Sequence, residues 1–515
     1  MNKKHSNKYL NYFKNLKKNN ELYKINELKT QLTDTSLLLK ENYFTRYFNI
    51  NIQTFELSVI QFIKMHCLQL NFNKNFLKAY NSKSKFSSPL PKRWQDHIVI
   101  KKININKFMS SFKWLLLCMK YYFKSYKTIY ILFYESLKNI FYKNDVNLQN
   151  CIFINNLNKD IISSQDLSST AINWLKKNQS LKTIKCFQNS LNIKDFKFNN
   201  SSIIYRKKSF PYLNNLRDLS NLSSWILKSH YYLICDLFRN HNLINFLFYS
   251  EFIESYLHKN LSSENNIFLF NNSNSLYRPL WTFIIEKKNS KVFFYFYSTN
   301  NEPIIDINSL PLPGWYPLTW NNYLIAHKQQ LNFINSVTKV NYKYQIADVF
   351  DHSIKSNVSL PDNFILVFDI SPRNDTEFSY MGEMYDYFSY IKIEIFLNDI
   401  VNIVSRYGIN LVLKTKKLNV VNNRKYQLLI KKLSTIPNIF ILDTNLATEK
   451  LINSSDLVIS YPLGTPSFIA KNINKKSIYY DPFGIISKKH NNLLDVQLIN
   501  TKIELENIIL KCIKY

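Results

Sequence analysis

The sequence predicts an α/β fold: a parallel sheet in the last third, more α/β pattern before it, and a helical extension at the start. Three observations carry this reading. From Phe364 onward, short β-branched runs alternate with amphipathic segments at the spacing of β-α-β units, which demands parallel strands and right-handed crossovers. From 146 to about 335, short apolar or aromatic runs again alternate with helical stretches. The 515 residues are 46% hydrophobic, enough to bury a real core in two large domains or three smaller ones. The expected division is 1–145 for the extension, 146–340 for the first α/β domain and 341–515 for the second.

Residues 1–90 read as polar and aromatic helices, closed by the proline-bearing break Ser87-Ser-Pro-Leu-Pro-Lys92. Segment 108–142 follows as one long amphipathic helix. At about 100° per residue, Lys113, Lys120, Lys124, Lys127 and Lys138 share an arc of roughly 60°. Leu115, Cys118, Tyr122, Tyr126, Ile129 and Phe133 take the opposite side, while Ile131 and Glu135 interrupt the pattern. Two readings stand. The helix packs on a domain with its lysines in water, or it lies on an anionic leaflet with snorkelling lysines and Trp114 and tyrosines at headgroup level.

In the middle of the chain, Cys151–Asn155, Thr183–Gln188, Ile267–Asn271, Trp281–Glu286 and Val292–Tyr297 read as strands. Helices are expected at Ser168–Lys177 and within Asn221–Lys259, and an irregular loop at the proline-rich Leu310–Pro317. The last third is the clearest. Strands are expected at Phe364–Asp369, Ile409–Lys414, Asn438–Leu442, Asp456–Ser460 and Ser477–Tyr480. The helices between them are Ile391–Tyr407, Arg424–Ser434, Ala447–Asn453 and Pro466–Asn472, with a final one at Thr501–Ile513. Gly408 stands where a helix C′ residue belongs. This is a Rossmann-like pattern without its glycines. The five glycines, Gly314, Gly382, Gly408, Gly464 and Gly484, form neither G-x-G-x-x-G nor a Walker A loop.

Lys and Arg number 67 against 36 Asp and Glu, a formal net charge of +31, which favours an anionic partner. The excess is mostly lysine in a chain that also overuses Asn, Ile, Tyr and Phe, a bias that inflates Lys without function. Base readout leans on arginine forks, so nucleic acid is the weaker reading of this charge. The six cysteines are scattered, with no C-x-x-C, so neither zinc site nor disulfide framework is expected and free thiols fit a reducing compartment. The first 30 residues lack the apolar core of a signal peptide. No apolar run reaches the roughly 18 residues of a membrane span. The expectation is a cytoplasmic protein that meets a membrane only at its surface.

In an open parallel sheet, ligands bind beyond the carboxyl ends of the strands. That rule selects Asp369-Ile-Ser-Pro-Arg373, Lys414-Thr-Lys416, Asp443-Thr-Asn445 and Ser460-Tyr-Pro-Leu-Gly-Thr-Pro-Ser467. In the last, Gly464 permits an unusual backbone angle or close approach, Thr465 or Ser467 can cap the helix, and Pro466 suits its first turn. Such a helix start either caps itself structurally or receives an anion such as a diphosphate. Lys414 and Lys416 at the neighbouring strand end favour the anion, and Arg373 could join them.

Asp456-Leu-Val-Ile-Ser-Tyr-Pro-Leu-Gly-Thr-Pro-Ser-Phe-Ile-Ala470 with Lys476-Ser-Ile-Tyr-Tyr-Asp-Pro482 resembles the donor half of a GT-B glycosyltransferase. More narrowly, it is similar to the bacterial polysaccharide-biosynthesis family named for a Pro-Phe-Thr-Ser motif in this loop. Phe270-Asn-Asn, Tyr277-Arg-Pro-Leu-Trp281, Phe296-Tyr-Ser-Thr-Asn300 and Val367-Phe-Asp-Ile-Ser-Pro372 resemble it too, so the likeness runs from about 265 to 490. The naming motif stands here as Pro462-Leu463-Gly464-Thr465, without a hydroxyl at its third position. The resemblance implies two facing Rossmann-like domains, a GT-B-like arrangement with the nucleotide donor in the C-terminal one and the acceptor in the N-terminal one.

No D-x-D occurs, which disfavours a GT-A metal–diphosphate site, so no metal and no cofactor are expected and the leaving-group charge must be met by helix amides and cations. Donor-site candidates are therefore Lys414, Lys416, Ser460, Pro462, Gly464, Thr465, Ser467 and Arg373. For the general base, Asp306, Glu286 and His327 are the candidates, each as readily structural. Asn271, Arg278 and Asn300 are candidates for orienting an acceptor, although Arg278-Pro-Leu-Trp281 could equally be a packed turn.

The expected function is a glycosyltransferase, peripheral on the inner face of the cytoplasmic membrane. It would move a sugar from a nucleotide-sugar donor to a polysaccharide or lipid-linked acceptor. Alternatives are polyol-phosphate transfer from a CDP-linked donor, and a basic nucleic-acid-binding protein, which would need a positive aromatic groove.

Overall fold

The computed structural model describes residues 23–142, 213–296, 315–347, 359–370, 372, 389–415, 423–442, 448–484 and 492–513, apart from 69, 82–83, 214, 241–242, 262–264, 272–275 and 463. It also describes four strands at 151–155, 183–187, 196–198 and 201–206. The expected helix Ser168–Lys177, most of the loop Leu310–Pro317 and the loop Asp443-Thr-Asn445 lie outside these residues.

The chain begins with helices α1 (Tyr23–Asp34), α2 (Tyr43–Phe48), α3 (Ile52–Cys67), α4 (Leu70–Asn81) and α5 (Lys92–Ile100), then the long α6 (Lys107–Tyr142). They share one apolar core with three helices from beyond the first strands. These are α7 (Leu216–Asn240), α8 (Ile244–Leu247) and α9 (Tyr249–Leu261). Aromatic rings make the joint: Phe44 stacks on Phe252 with centroids 4.0 Å apart, and Tyr43 on Tyr232 at 4.1 Å. Asn42 sets the start of α2 by accepting from the amides of Phe44 and Thr45, while Thr45 answers with its own side chain, a capping box.

The first sheet has eight strands in the order β3-β4-β2-β1-β5-β6-β7-β8, all pairs parallel except β3 with β4. Its strands are β1 (Cys151–Asn155), β2 (Thr183–Phe187), β3 (Phe196–Phe198), β4 (Ser201–Arg206), β5 (Ile267–Asn271), β6 (Lys291–Tyr295), β7 (Asn322–Ile325) and β8 (Lys343–Ile346). One expected strand is corrected: Leu280–Glu286 is a helix, α10, entered through Pro279 at its N-cap. A short apolar run buried on both sides cannot be told from a strand by periodicity. The i, i+4, i+8 spacing of Arg278, Thr282 and Glu286 was the available helical signal. Helix α11 (Gln330–Val337) follows β7.

The second sheet runs β11-β10-β9-β12-β13-β15-β14, parallel but for β14 with β15. In chain order its elements are β9 (Phe364–Phe368), α12 (Tyr390–Arg406), β10 (Asn410–Lys414), α13 (Arg424–Leu433), β11 (Ile439–Leu442), α14 (Thr448–Ser454) and β12 (Leu457–Ser460). Then come α15 (Thr465–Asn472), β13 (Ser477–Tyr480), β14 (Asn492–Leu493), β15 (Val496–Ile499) and α16 (Lys502–Ile513). Gly408 does end α12 in the left-handed region, with φ 65°. Taken in chain order, β9, β10, β11, β12, β13 and β15 stand as 3-2-1-4-5-6, the doubly wound order of a Rossmann fold. With the β3 hairpin strand set aside, β1, β2, β4, β5, β6 and β7 repeat that order in the first sheet.

The two sheets touch through the β14–β15 hairpin. Leu494 donates its amide to Gln329 Oε1 at 2.7 Å, and His327 Nε2 lies 3.0 Å from Asp495 Oδ2. Leu494 and Asp495 both have positive φ, 54° and 60°, as a two-residue hairpin turn of the primed type requires.

Candidate functional site

A doubly wound sheet opens a crevice where strand order reverses, here between β9 and β12. Side chains from four elements gather at the carboxyl ends of these strands. Asp369, just past β9, is buried and accepts a hydrogen bond from Tyr426 Oη of α13. Burial first, and then this carboxylate, raise the Tyr426 phenol far above its usual range, so it stays a donor. Lys414 ends β10, half-buried, with Nζ 3.3 Å from Thr448 Oγ1 at the start of α14 and 5.9 Å from the Phe368 ring centre. Thr415 is buried with no partner for its hydroxyl among the described residues, an unusual state for a buried donor. Lys416 and Arg373 lie outside the described residues.

The loop after β12 makes a tight turn closed by Gly464 N–H to Tyr461 O at 3.0 Å. Gly464 is the N-cap of α15 with φ −65° and ψ 122°, so no left-handed angle demands glycine here. Space does. A Cβ would stand 2.9 Å from Ser460 Cβ and 3.0 Å from Tyr461 O. Neither Thr465 nor Ser467 caps α15, contrary to expectation, and its first turn receives no side-chain cap. Thr465 and Pro466 are themselves the first two helical residues. Ser467 is fully buried, 2.8 Å from Ser460 Oγ and 3.0 Å from Ile478 O. Its single hydroxyl proton points to acceptors inside the protein in either case, Ser460 Oγ or the Ile478 carbonyl. These two hydroxyls thus fasten α15 to β12 and β13 and face inward, which corrects their expected place among donor-binding groups. Pro462 is buried in the same turn. The open features of the loop are the helix start itself and Thr465, which is partly exposed.

The remaining candidates divide. Arg278 is 0% exposed, with Nε 3.0 Å from Thr282 Oγ1, Nη1 3.1 Å from Thr319 O and Nη2 paired to Glu286. Each of its three guanidinium nitrogens is engaged inside the protein, so it is a packed turn rather than an acceptor-facing group. Glu286 holds that guanidinium, with Asn322 Nδ2 3.4 Å away, and burial raises its carboxyl despite the arginine beside it. It too is structural. His327 sits between the sheets against Asp495, with its ring 6.0 Å from that of Phe468 on α15. Asn271 ends β5, next to the order reversal of the first sheet, and donates to Tyr295 Oη at 3.2 Å. Asp306 and Asn300 lie outside the described residues. Among the described residues, no three His, Cys, Asp or Glu side chains gather as a metal site would need. The residues missed from sequence are Thr415 and Thr448, which sit one after a strand and one at a helix start, positions the carboxyl-end rule already marks.

A match to the family described as polysaccharide biosynthesis PFTS motif protein spans residues 230–509, from within α7 to within α16. The chain belongs to that family. The PFTS match begins earlier than the likeness seen in the sequence and contains β5 to β15 entire, including the β9/β12 reversal but only the β5 side of the β1/β5 reversal. Helices α1 to α6 fall outside it. No curated protein matches the chain in sequence. Among solved structures, this PFTS protein is similar to the N-terminal domain of Candida albicans trehalose-6-phosphate phosphatase. The TM-score is 0.38 at 11% identity, over 72% of this chain and 91% of that one. It is also similar to Anabaena Alr3699/HepE in complex with UDP and glucose, at TM-score 0.36 and 11% identity over 71% and 90%. A third is Methanocaldococcus jannaschii UDP-GlcNAc 2-epimerase in complex with UDP-GlcNAc and UDP, at 0.36 and 10% over 71% and 92%.

Proposed function

We propose that this protein is a glycosyltransferase that moves a sugar from a nucleotide donor to a surface polysaccharide or a lipid-linked glycan. It works as a peripheral protein on the inner face of the cytoplasmic membrane. Membership of a polysaccharide-biosynthesis family sets the field. The observation that carries the reading is the β9/β12 order reversal, furnished with Lys414 and the uncapped start of α15. A nucleotide's phosphate lies at the helix start, where amides point outward, and Lys414 supplies the opposing charge. Thr415 and Thr448 offer hydroxyls beside it. When the glycosidic bond to the donor breaks, negative charge grows on the departing phosphate, and the same amides and ammonium stabilise it. That set needs no metal, in keeping with a chain that has no D-x-D.

The test is thermal stabilisation of the purified protein by UDP, CMP, GDP and CDP in excess EDTA. A ligand at a hundred times its Kd adds about 2.7 kcal/mol of stability, well within reach of a melting curve. One nucleotide should raise Tm in EDTA. No shift with any of them removes the reading, and a shift that needs manganese or magnesium removes its metal-independent form.

A further inference from the structure

The long helix α6 has three faces, not the two its lysine stripe suggests. Trp114, Cys118, Ser125, Leu132 and Ser136 are buried against the protein, so Trp114 is a core residue and not a headgroup anchor. Tyr122, Ile129 and Phe133 are partly buried on the same core. Lysines 120, 124, 127 and 138 are exposed, and among the described residues none pairs with a carboxylate. Between these faces runs a third, of exposed apolar and aromatic side chains: Phe112, Leu116, Phe123, Tyr130, Tyr134 and Phe141. At about 100° per residue these six fall within roughly 40°, and the exposed lysines begin right beside them. Phe123, Tyr130 and Phe141 are 62, 71 and 76% exposed.

Helix α7 repeats the arrangement. Leu227, Tyr231, Ile234 and Phe238 are exposed, Leu227 and Phe238 by 74 and 75%, and lie within an arc of about 60°. Lys228 borders them. The two helices pack antiparallel, since Ser136 of α6 receives the amide of Leu213 just before α7, while Tyr126 Oη meets His230 Nε2 at 3.1 Å. From that seam, the apolar stripe of each helix turns to the same side of the pair, with the lysines on the outer flanks. An apolar strip of two helices is thus bordered by cations. Glu135 is the only acidic residue of α6. A second copy on this face would set lysine against lysine with almost no carboxylate to pair.

We infer that the α6–α7 face is a membrane-docking surface, its aromatic strip seated in the acyl–headgroup boundary and its flanking lysines on anionic headgroups. It extends the membrane location proposed above and does not depend on the transfer chemistry. No helix among the described residues is long and apolar enough to cross a membrane, so the contact is in the plane of the interface. Burial of aromatic rings and attraction to anionic lipid contribute together.

The experiment is co-sedimentation of the full chain with vesicles of phosphatidylcholine plus phosphatidylglycerol, and of phosphatidylcholine alone. The parent should bind the anionic vesicles at least about tenfold more tightly than the neutral ones. A variant with Phe123→Ser, Tyr130→Ser and Phe238→Ser should lose binding to both. One with Lys120→Glu, Lys124→Glu and Lys127→Glu should lose only the preference for anionic lipid. These side chains are exposed, and unchanged melting curves confirm the fold. Equal sedimentation of parent and variants overturns the inference. So does a parent that stays in the supernatant and elutes as a dimer that the serine variant dissolves, which assigns the face to a second copy. The nucleotide-dependent Tm shift should persist in both variants. Its absence in a parent that binds vesicles would remove the donor site and leave this surface standing.

Discussion

The two sheets share one strand order and differ in how the described site candidates near them are committed. In the first, the charged groups nearest the site motifs are turned inward: Arg278 is buried and held by Glu286, Thr282 and the Thr319 carbonyl. In the second, the reversal carries Lys414 beside the Thr448 hydroxyl, a buried threonine whose hydroxyl has no partner among the described residues, and a helix start without a side-chain cap. On the function proposed above, the same topology would serve as framework in one place and as an anion cradle in the other. The lesson is that topology locates a crevice, and only side-chain commitments say whether it is open for chemistry.

Three substitutions break or sharpen this contrast. The largest effect is expected in the first sheet. Arg278→Ala strips a buried pair of one partner and should cost about 3–5 kcal/mol of stability in urea unfolding, with nucleotide affinity unchanged in the folded protein. Unaltered stability together with loss of transfer would restore Arg278 as an acceptor-binding group. Next, Gly464→Val drives a side chain into Ser460 and the Tyr461 carbonyl, so the turn must move. We expect a loss of about 1–3 kcal/mol, as for other overpacked sites, and the nucleotide-dependent Tm shift should vanish. A variant that keeps the full shift would detach the loop from the donor site. The smallest change in stability belongs to Lys414→Ala, within about 0.5 kcal/mol, with nucleotide affinity by calorimetry reduced about tenfold. Equal affinity in parent and variant would move the donor elsewhere.

The second sheet was legible because each of its first five strands is a short apolar run between helices whose ends are marked, Gly408 at one and Pro466 at another. Its doubly wound order, and hence the crevice, then follows from topology rules. Less legible was whatever depends on tertiary direction. Ser460 and Ser467 occupy ligand-facing sequence positions yet bond each other, because α15 packs across β12 and β13. Helix α10 reads as a strand since burial on both sides erases its period. The β14–β15 hairpin is not legible because its turn is Leu494-Asp495, without the Asn-Gly or Asp-Gly signal that such a turn normally shows. On α6, the lysine arc is legible, but Cys118, Tyr122, Ile129 and Phe133 of its apolar back pack on the core while Leu115 and Tyr126 stay exposed, and the exposed aromatic arc lies beside the lysines instead.

That hairpin also settles how one flank of the second sheet ends. An open strand edge is a template on which another chain can add a strand, and proteins blunt it by shortening or covering it. Here β14 contributes only Asn492 and Leu493 to the ladder. The next amide along, that of Leu494, is already taken by Gln329 of the other sheet. Among the described residues, a foreign strand arriving at this margin would find only Asn492 and Leu493 to read. The contact that joins the two sheets thereby works as a guard against edge-to-edge polymerisation, a second duty for a turn of two residues.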